Sequence, residues 1–246
     1  PRANRIFCAG HIWHITHRCH QREFLLKFQR DRRRWRHWLF EAKRRYGLSV
    51  LNYIATSNHI HLLCADQGRD EIPRSLQLIQ GRVAREYNSR KNRRGAFWED
   101  RYHATAVQAD DHLARCMTYI DLNMVRACAV AHPREWEVCG FNEILCPPWR
   151  KRIIDLPALF RLLNVETREH LATMRNHLVQ EEISSTRRAP AWTESVAVGG
   201  EAYLEQVKTD LGLRGKYKRI VTEQGIHALS EVHPGYWRVL GPKTPD

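Results

Sequence analysis

The chain contains no Cys-x-x-Cys pair, although seven cysteines are spread along it: Cys8, Cys19, Cys64, Cys116, Cys128, Cys139 and Cys146. Their odd number and scattered placement argue against a zinc ribbon or a disulfide framework and point to the reduced thiols of a cytoplasmic protein. No apolar run reaches about 18 residues, the length a membrane-spanning helix needs. No signal-peptide pattern opens the sequence as given, which starts at Pro1. Internal repeats and long low-complexity tracts are missing too, so no repeat architecture is expected.

Acidic residues are in short supply. Twenty-seven Asp and Glu stand against 40 Lys and Arg, a formal net charge of +13. The positive charge is clustered rather than spread. That favours a polyanionic partner, nucleic acid first, over a merely basic soluble protein. Hydrophobic residues fill 43% of 246 positions, enough for one large domain or for a domain of about 150 residues with an appendage.

What is present reads as an alternation of strands and helices. A moderately alternating strand is expected over 5–18, and Asp31 is placed to cap a helix over 32–46 that Gly47 stops. Trp35, Trp38, Leu39, Ala42 and Tyr46 recur at helical spacing and form its buried stripe, with arginines on the rest. Two strands follow, about 48–56 and 58–65. A helix over 73–88, with Pro73 in its first turn, buries Leu76, Ile79, Val83 and Tyr87. A strand over 102–108 leads into a helix over 112–128 capped by Asp110 or Asp111, with Leu113, Met117, Ile120, Met124 and Val125 toward the core. The order predicts an α+β fold, helices packed on a mainly antiparallel sheet. A boundary near Cys146-Pro147-Pro148-Trp149 separates residues 1–147 from a mainly helical extension, 148–246. Helices are expected there over 156–163, 167–182 and 200–211, with a linker at 183–190. The basic run 212–219 is read either as a DNA contact or as a disordered tail.

The chemistry concentrates in two places. Asn58-His59-Ile60-His61 puts two imidazoles on one face of a strand, because side chains alternate, and sends Ile60 to the other face. Such a pair is half of a divalent-metal site. The second place is the helix carrying Tyr119, Asn123, Arg115 and Arg126. Tyr119 and Asn123 are four apart and share one helix face. Taken alone, Tyr119 reads as a half-buried core tyrosine and Asn123 as a surface amide. Together with the histidine pair they supply a nucleophile and a third metal ligand. A phenol of ordinary pKa about 10 is a poor nucleophile unless metal and cations stabilise the phenolate and the phosphate under attack. His11, His14, His17 and His20 recur at a spacing of three, which cannot place all four on one strand face; this reads as coincidence, not as a second metal site.

These residues resemble a known family. Asn-His-Ile-His resembles the His-hydrophobe-His motif of HUH endonucleases. Tyr119-Ile120-Asp121-Leu122-Asn123-Met124-Val125-Arg126-Ala127 is similar to the Tyr-Ile-x-x-Asn-Pro-Val-Arg-Ala helix of REP-associated tyrosine transposases, relatives of the single-tyrosine insertion-sequence transposases. Gly95 to Tyr102 resembles the family's entry to an aromatic strand, and His14-Ile15-Thr16-His17-Arg18 its first strand. The order agrees across roughly 5–145, and Trp192 to Gly199 looks like the tail of some members. Met124 departs from the pattern, standing where a proline is usual; without that proline a straighter helix is expected.

The resemblance implies a ferredoxin-like HUH nuclease fold and a single-stranded DNA transposase. His59, His61 and Asn123 would bind Mg²⁺ or Mn²⁺, and Tyr119 would attack a DNA phosphate to give a 5′-phosphotyrosine. The implied partner is single-stranded DNA with a hairpin, as in REP or BIME-like palindromic repeats, met in the cytoplasm at the nucleoid. A monomer is the first expectation and a dimer with shared sites the second. Arg18, Arg90, Lys91, Arg93, Arg94, Arg115 and Arg126 are the candidate DNA contacts. Trp98 and Tyr102 are read as core residues before base-stacking ones. Two competing readings stand beside this one: a domesticated, non-catalytic binder of repeat hairpins, and a metal-dependent hydrolase of another phosphodiester such as RNA.

Overall fold

The computed structural model describes residues 10–185, 189–223 and 225–231. Strand β1 (Ile12–Arg18), helix α1 (Gln29–Tyr46), strands β2 (Ser49–Ala55) and β3 (His59–Ala65), helix α2 (Glu71–Arg90) and strand β4 (His103–Val107) follow one another. The four strands pair antiparallel in the order β2-β3-β1-β4. This β-α-β-β-α-β unit is ferredoxin-like. Part of the strand expected over 5–18 lies outside the described residues.

Alternation sorts the sheet into two faces. On one face Tyr53 of β2 meets Trp35 of α1, ring centroids 6.1 Å apart, and α1 and α2 cover it. Trp35, Trp38, Leu39 and Ala42 of α1 and Leu76, Ile79 and Val83 of α2 are buried there. Asp31 does not cap α1. The helix starts two residues earlier, and the buried Asp31 pairs with Arg90 of α2, fastening the two helices together. Gly47 ends α1 as expected, at φ 72° with its N–H on the Lys43 carbonyl.

The other face is covered by helix α3 (Asp111–Asp121) and the short α4 (Asn123–Arg126), which form two pieces instead of one helix over 112–128. The chain bends at Leu122, φ −78° and ψ 2°, so the missing proline does not straighten it. A continuous helix would give the Tyr119 carbonyl to the Asn123 N–H; here it accepts from the Arg126 guanidinium.

The segment after 147 is not only helical. Helix α5 (Gly140–Leu145) closes the first part; α6 (Leu156–Leu162), α7 (Arg168–Glu182), α8 (Ala191–Glu194) and α9 (Glu201–Asp210) follow. Strands β5 (Ala197–Val198), β6 (Lys218–Glu223) and β7 (Ile226–Glu231) continue the sheet, giving the order β2-β3-β1-β4-β5-β7-β6. β5 runs parallel to β4, the register joining Ala106 to Ala197 and Val107 to Val198. The basic run 212–219 is therefore a 3-10 turn, Gly212–Tyr217, entering β6. Among the described residues no helix is long and apolar enough to cross a membrane.

Candidate active site

His59 and His61 project from β3 toward α3 and α4, while Ile60 and Leu62 are buried on the opposite face. The β2–β3 turn orients the first of them. Thr56 Oγ1 accepts the His59 N–H at 3.0 Å and the Asn58 N–H at 3.3 Å, and donates to the His59 carbonyl at 2.8 Å. Its one proton is thus spent. Nδ1 of His59 lies 2.8 Å from Asn58 Oδ1, an acceptor whose amide nitrogen donates to the Arg22 carbonyl at 3.2 Å. Nδ1 therefore carries the proton, and Nε2 keeps its lone pair.

Tyr119, in the last turn of α3, and Asn123, first in α4, meet this pair. The Asn123 amide sits 3.0 Å from His61 Nε2. The Tyr119 ring packs edge-on to His61 and His14, centroids 6.0 and 6.1 Å away, and is 8% exposed. Arg126 lays its guanidinium 4.5 Å from the Tyr119 ring centroid. Arg18 stands opposite His59 in the β1–β3 register.

Burial dominates the electrostatics. It pushes the His59 imidazole down to about 4, with the Arg18 charge adding to the effect and the Asn123 hydrogen bond opposing it. It likewise lowers His14 to about 4 against its hydrogen bond to the Trp192 carbonyl. His61 lies well below the usual histidine range, from burial and then from His59, His14 and the two arginines nearby. Neutral imidazoles with Arg18 and Arg126 nearby can bind a cation through lone pairs and an anion through the arginines.

Among the described residues no three His, Cys, Asp or Glu side chains cluster to hold a metal. A site here needs the amide as third donor; the Asn123 amide nitrogen lies 3.0 Å from His61 Nε2, so His59, His61 and Asn123 are the residues that would hold a cation. Phosphate oxygens and waters would fill the remaining positions of a hard cation.

The other expected contacts are dispersed. Arg115 lies one turn before Tyr119 on α3, near His112. Arg90, Lys91, Arg93 and Arg94 sit at the end of α2 and in the loop after it, in the layer covering the other face. Arg90 is held by Asp31, and Arg93 by the Ala96 carbonyl at 2.7 Å and Glu23 at 3.5 Å. Trp98 stacks on His17 at 4.5 Å and donates to the Gln80 carbonyl at 3.2 Å, and Tyr102 is buried; neither is a free stacking platform. A cavity of about 720 Å³ lined by Arg36, Arg134, Arg150 and Lys151 lies beside α1 and Tyr53, on the face away from Tyr119.

Two members of the site go beyond the expected set. His14 is buried and stacked on His61, centroids 5.1 Å apart at 16°. Alternation along β1 puts His14 on the His61 face and His17 on the other, so the strand register, more than the spacing of three, was the signal that distinguished them. Trp192 of α8 is buried with its ring 6.4 Å from that of Tyr119. Nothing in the local sequence pattern signals that approach.

Residues 8–123, a span that includes His59, His61, Tyr119 and Asn123, match the family described as "Transposase IS200 like". The chain is similar in fold to a REP-associated tyrosine transposase whose structure was solved bound to a REP hairpin. Identity there is 18% and the TM-score 0.50, over 63% of this chain and 94% of that one. A candidate transposase from Deinococcus radiodurans R1 aligns at 17% identity and TM-score 0.35, over 49% of this chain and 95% of its own. None of the curated proteins compared with the chain matches it.

Proposed function

We propose that the protein is a metal-dependent single-stranded DNA endonuclease and strand transferase that cleaves and rejoins REP-like hairpin DNA through a 5′-phosphotyrosine. The observation that carries this reading is the meeting of a tyrosine, an amide and two neutral imidazoles in one cluster beside Arg18 and Arg126. The hairpin bound to the structural neighbour supports the substrate class. His59 Nε2, His61 Nε2 and the Asn123 amide oxygen would hold Mg²⁺ or Mn²⁺. The bound ion would polarise the scissile phosphodiester and offset its charge.

The chain's own residues do the rest. The phenol oxygen of Tyr119 bonds to phosphorus as the P–O3′ bond breaks, and the 3′ oxygen departs and takes up a proton. Arg126 brings positive charge against the Tyr119 ring, where phenolate and phosphate charge develop. Attack by a 3′-hydroxyl on the phosphotyrosine reverses the step and joins strands, releasing Tyr119. Bond energy is kept in the adduct, so no nucleotide cofactor is required.

A labelled single-stranded hairpin oligonucleotide with flanking DNA, incubated with Mn²⁺ and run on a denaturing gel, tests this. Wild type should yield a shortened strand and a slow protein-linked species. EDTA, His59→Ala and His61→Ala should each remove both. Cleavage that survives EDTA contradicts the metal role. Hairpin binding without cleavage identifies a non-catalytic binder, and cleavage with no protein-linked strand identifies a hydrolase.

A further inference from the structure

His14 belongs to a chain of hydrogen bonds that reaches the site from the C-terminal part of the protein. Its Nδ1 is 2.7 Å from the Trp192 carbonyl, and its Nε2 is 2.9 Å from His61 Nδ1. A carbonyl oxygen only accepts, so Nδ1 of His14 carries a proton. The ring is fully buried and its hydrogen-bond partners are a carbonyl and another imidazole, with no carboxylate to balance a charge, so it is neutral and its Nε2 must accept. The proton in the second hydrogen bond therefore belongs to His61 Nδ1. That leaves His61 Nε2 bare, and Nε2 is the atom facing Asn123. Each assignment follows from the one before, beginning at a group that cannot change role.

We propose that His14 is a positioning residue, forming with the Trp192 carbonyl a relay that fixes the His61 tautomer and aims the Nε2 lone pair into the site. Partners behind a ligating histidine commonly set its tautomer and tilt in this way. The partner here is another imidazole, whose own direction is set by a backbone group. The Trp192 carbonyl is well anchored. Ser195, three residues on, accepts through its carbonyl from Thr105 Oγ1 at 2.8 Å and from His103 Nε2 at 3.0 Å, and the Val196 carbonyl accepts the Ala106 N–H at 2.9 Å. The extension thus takes part in building the site, beyond residues 8–123 that match the transposase family. The consequence for metal binding rests on reading His61 as a ligand; the tautomer itself does not.

Long-range ¹H–¹⁵N correlation spectra of the metal-free, ¹⁵N-labelled full chain read the tautomers directly. Both His14 and His61 should show the Nδ1–H form, the minor one for free imidazole. An Nε2–H form at His61 overturns the relay whether or not metal binds. Mn²⁺ binding, followed by the loss of the free-ion electron spin resonance signal, reads the consequence. His14→Leu should weaken it about 10- to 100-fold. His14→Gln, whose amide oxygen can accept from His61 Nδ1–H, should recover most of that loss. Equal weakening in both variants, with each still folded, contradicts the relay. Absence of Mn²⁺ binding by the wild type would sink the metal reading instead, and leave the spectra to decide the tautomer.

Discussion

Replacing Arg175 by methionine should cost the protein far more than a surface change, because it strips a buried carboxylate of its counter-charge. Arg175 of α7 and Asp121 at the end of α3 form an ion pair whose side chains are 3% and 1% exposed. Asp121 also accepts from Asn52 Nδ2 at 3.0 Å, which ties it to β2. The guanidinium is poorly satisfied: Nε and Nη1 are buried without a hydrogen-bond partner. Desolvating both charges offsets much of their attraction, so the intact pair adds little net stability. Removing one member is different. An unpaired buried carboxylate costs about 3–5 kcal/mol. At roughly 2–4 °C per kcal/mol for a chain of this size, Tm should fall by about 6–20 °C. The double variant Asp121→Asn, Arg175→Met keeps the amide partner of Asn52 and removes both charges, and should regain most of the loss. Thermal melts followed by circular dichroism at pH 7 measure both. A further sign comes from pH. With Arg175 gone, the Asp121 carboxyl would hold its proton in the folded chain to a higher pH than in the unfolded one. The penalty therefore grows as pH rises above the unfolded value of about 4 and shrinks toward it. A single variant within about 1 kcal/mol of wild type, or a double variant no better than the single one, refutes the argument.

Two further outcomes are expected. His14 and His59 stay neutral in the folded chain down to about pH 4 but take up protons near 6.5 when unfolded. Each therefore contributes stability that is fully present above pH 6.5 and is lost as pH falls toward 4, on the order of 3 kcal/mol apiece. Denaturant titrations in EDTA at pH 7.5 and pH 4.5 should show the decline, and a flat profile would argue that the rings are charged or exposed. Arg126→Met removes the positive charge that lies 4.5 Å from the Tyr119 ring centroid and the guanidinium that donates to the Tyr119 carbonyl. Single-turnover cleavage should fall about 10²- to 10³-fold while hairpin affinity changes little; a rate within threefold of wild type would remove Arg126 from the site.

The sequence and the folded chain agree best where a periodic pattern meets a short motif. β2, β3, β4 and the long helices lie within a few residues of expectation because apolar spacing decides them. His59 and His61 share a face because alternation allows nothing else. Tyr119 and Asn123 remain neighbours across a helix break, since the bend at Leu122 leaves their spacing near one turn. The break itself was hidden, because neither proline nor glycine marks it between Tyr119 and Arg126. Asp31 resembles a cap by type, yet its pairing with Arg90 spans 59 positions. β5 is two residues long and carries no detectable period, so its place beside β4 comes from tertiary contacts alone. For the same reason Trp192 could not be placed against Tyr119.

In the proposed reaction Tyr119 becomes covalently joined to DNA. Trapping the reaction on a hairpin oligonucleotide with Mn²⁺, digesting the protein and locating the nucleotide-bearing peptide by mass spectrometry tests it directly. A phosphate-linked nucleotide should be found on Tyr119 and be absent from Tyr119→Phe although that variant still binds the hairpin. An adduct on any other residue, or one that persists in Tyr119→Phe, would contradict it.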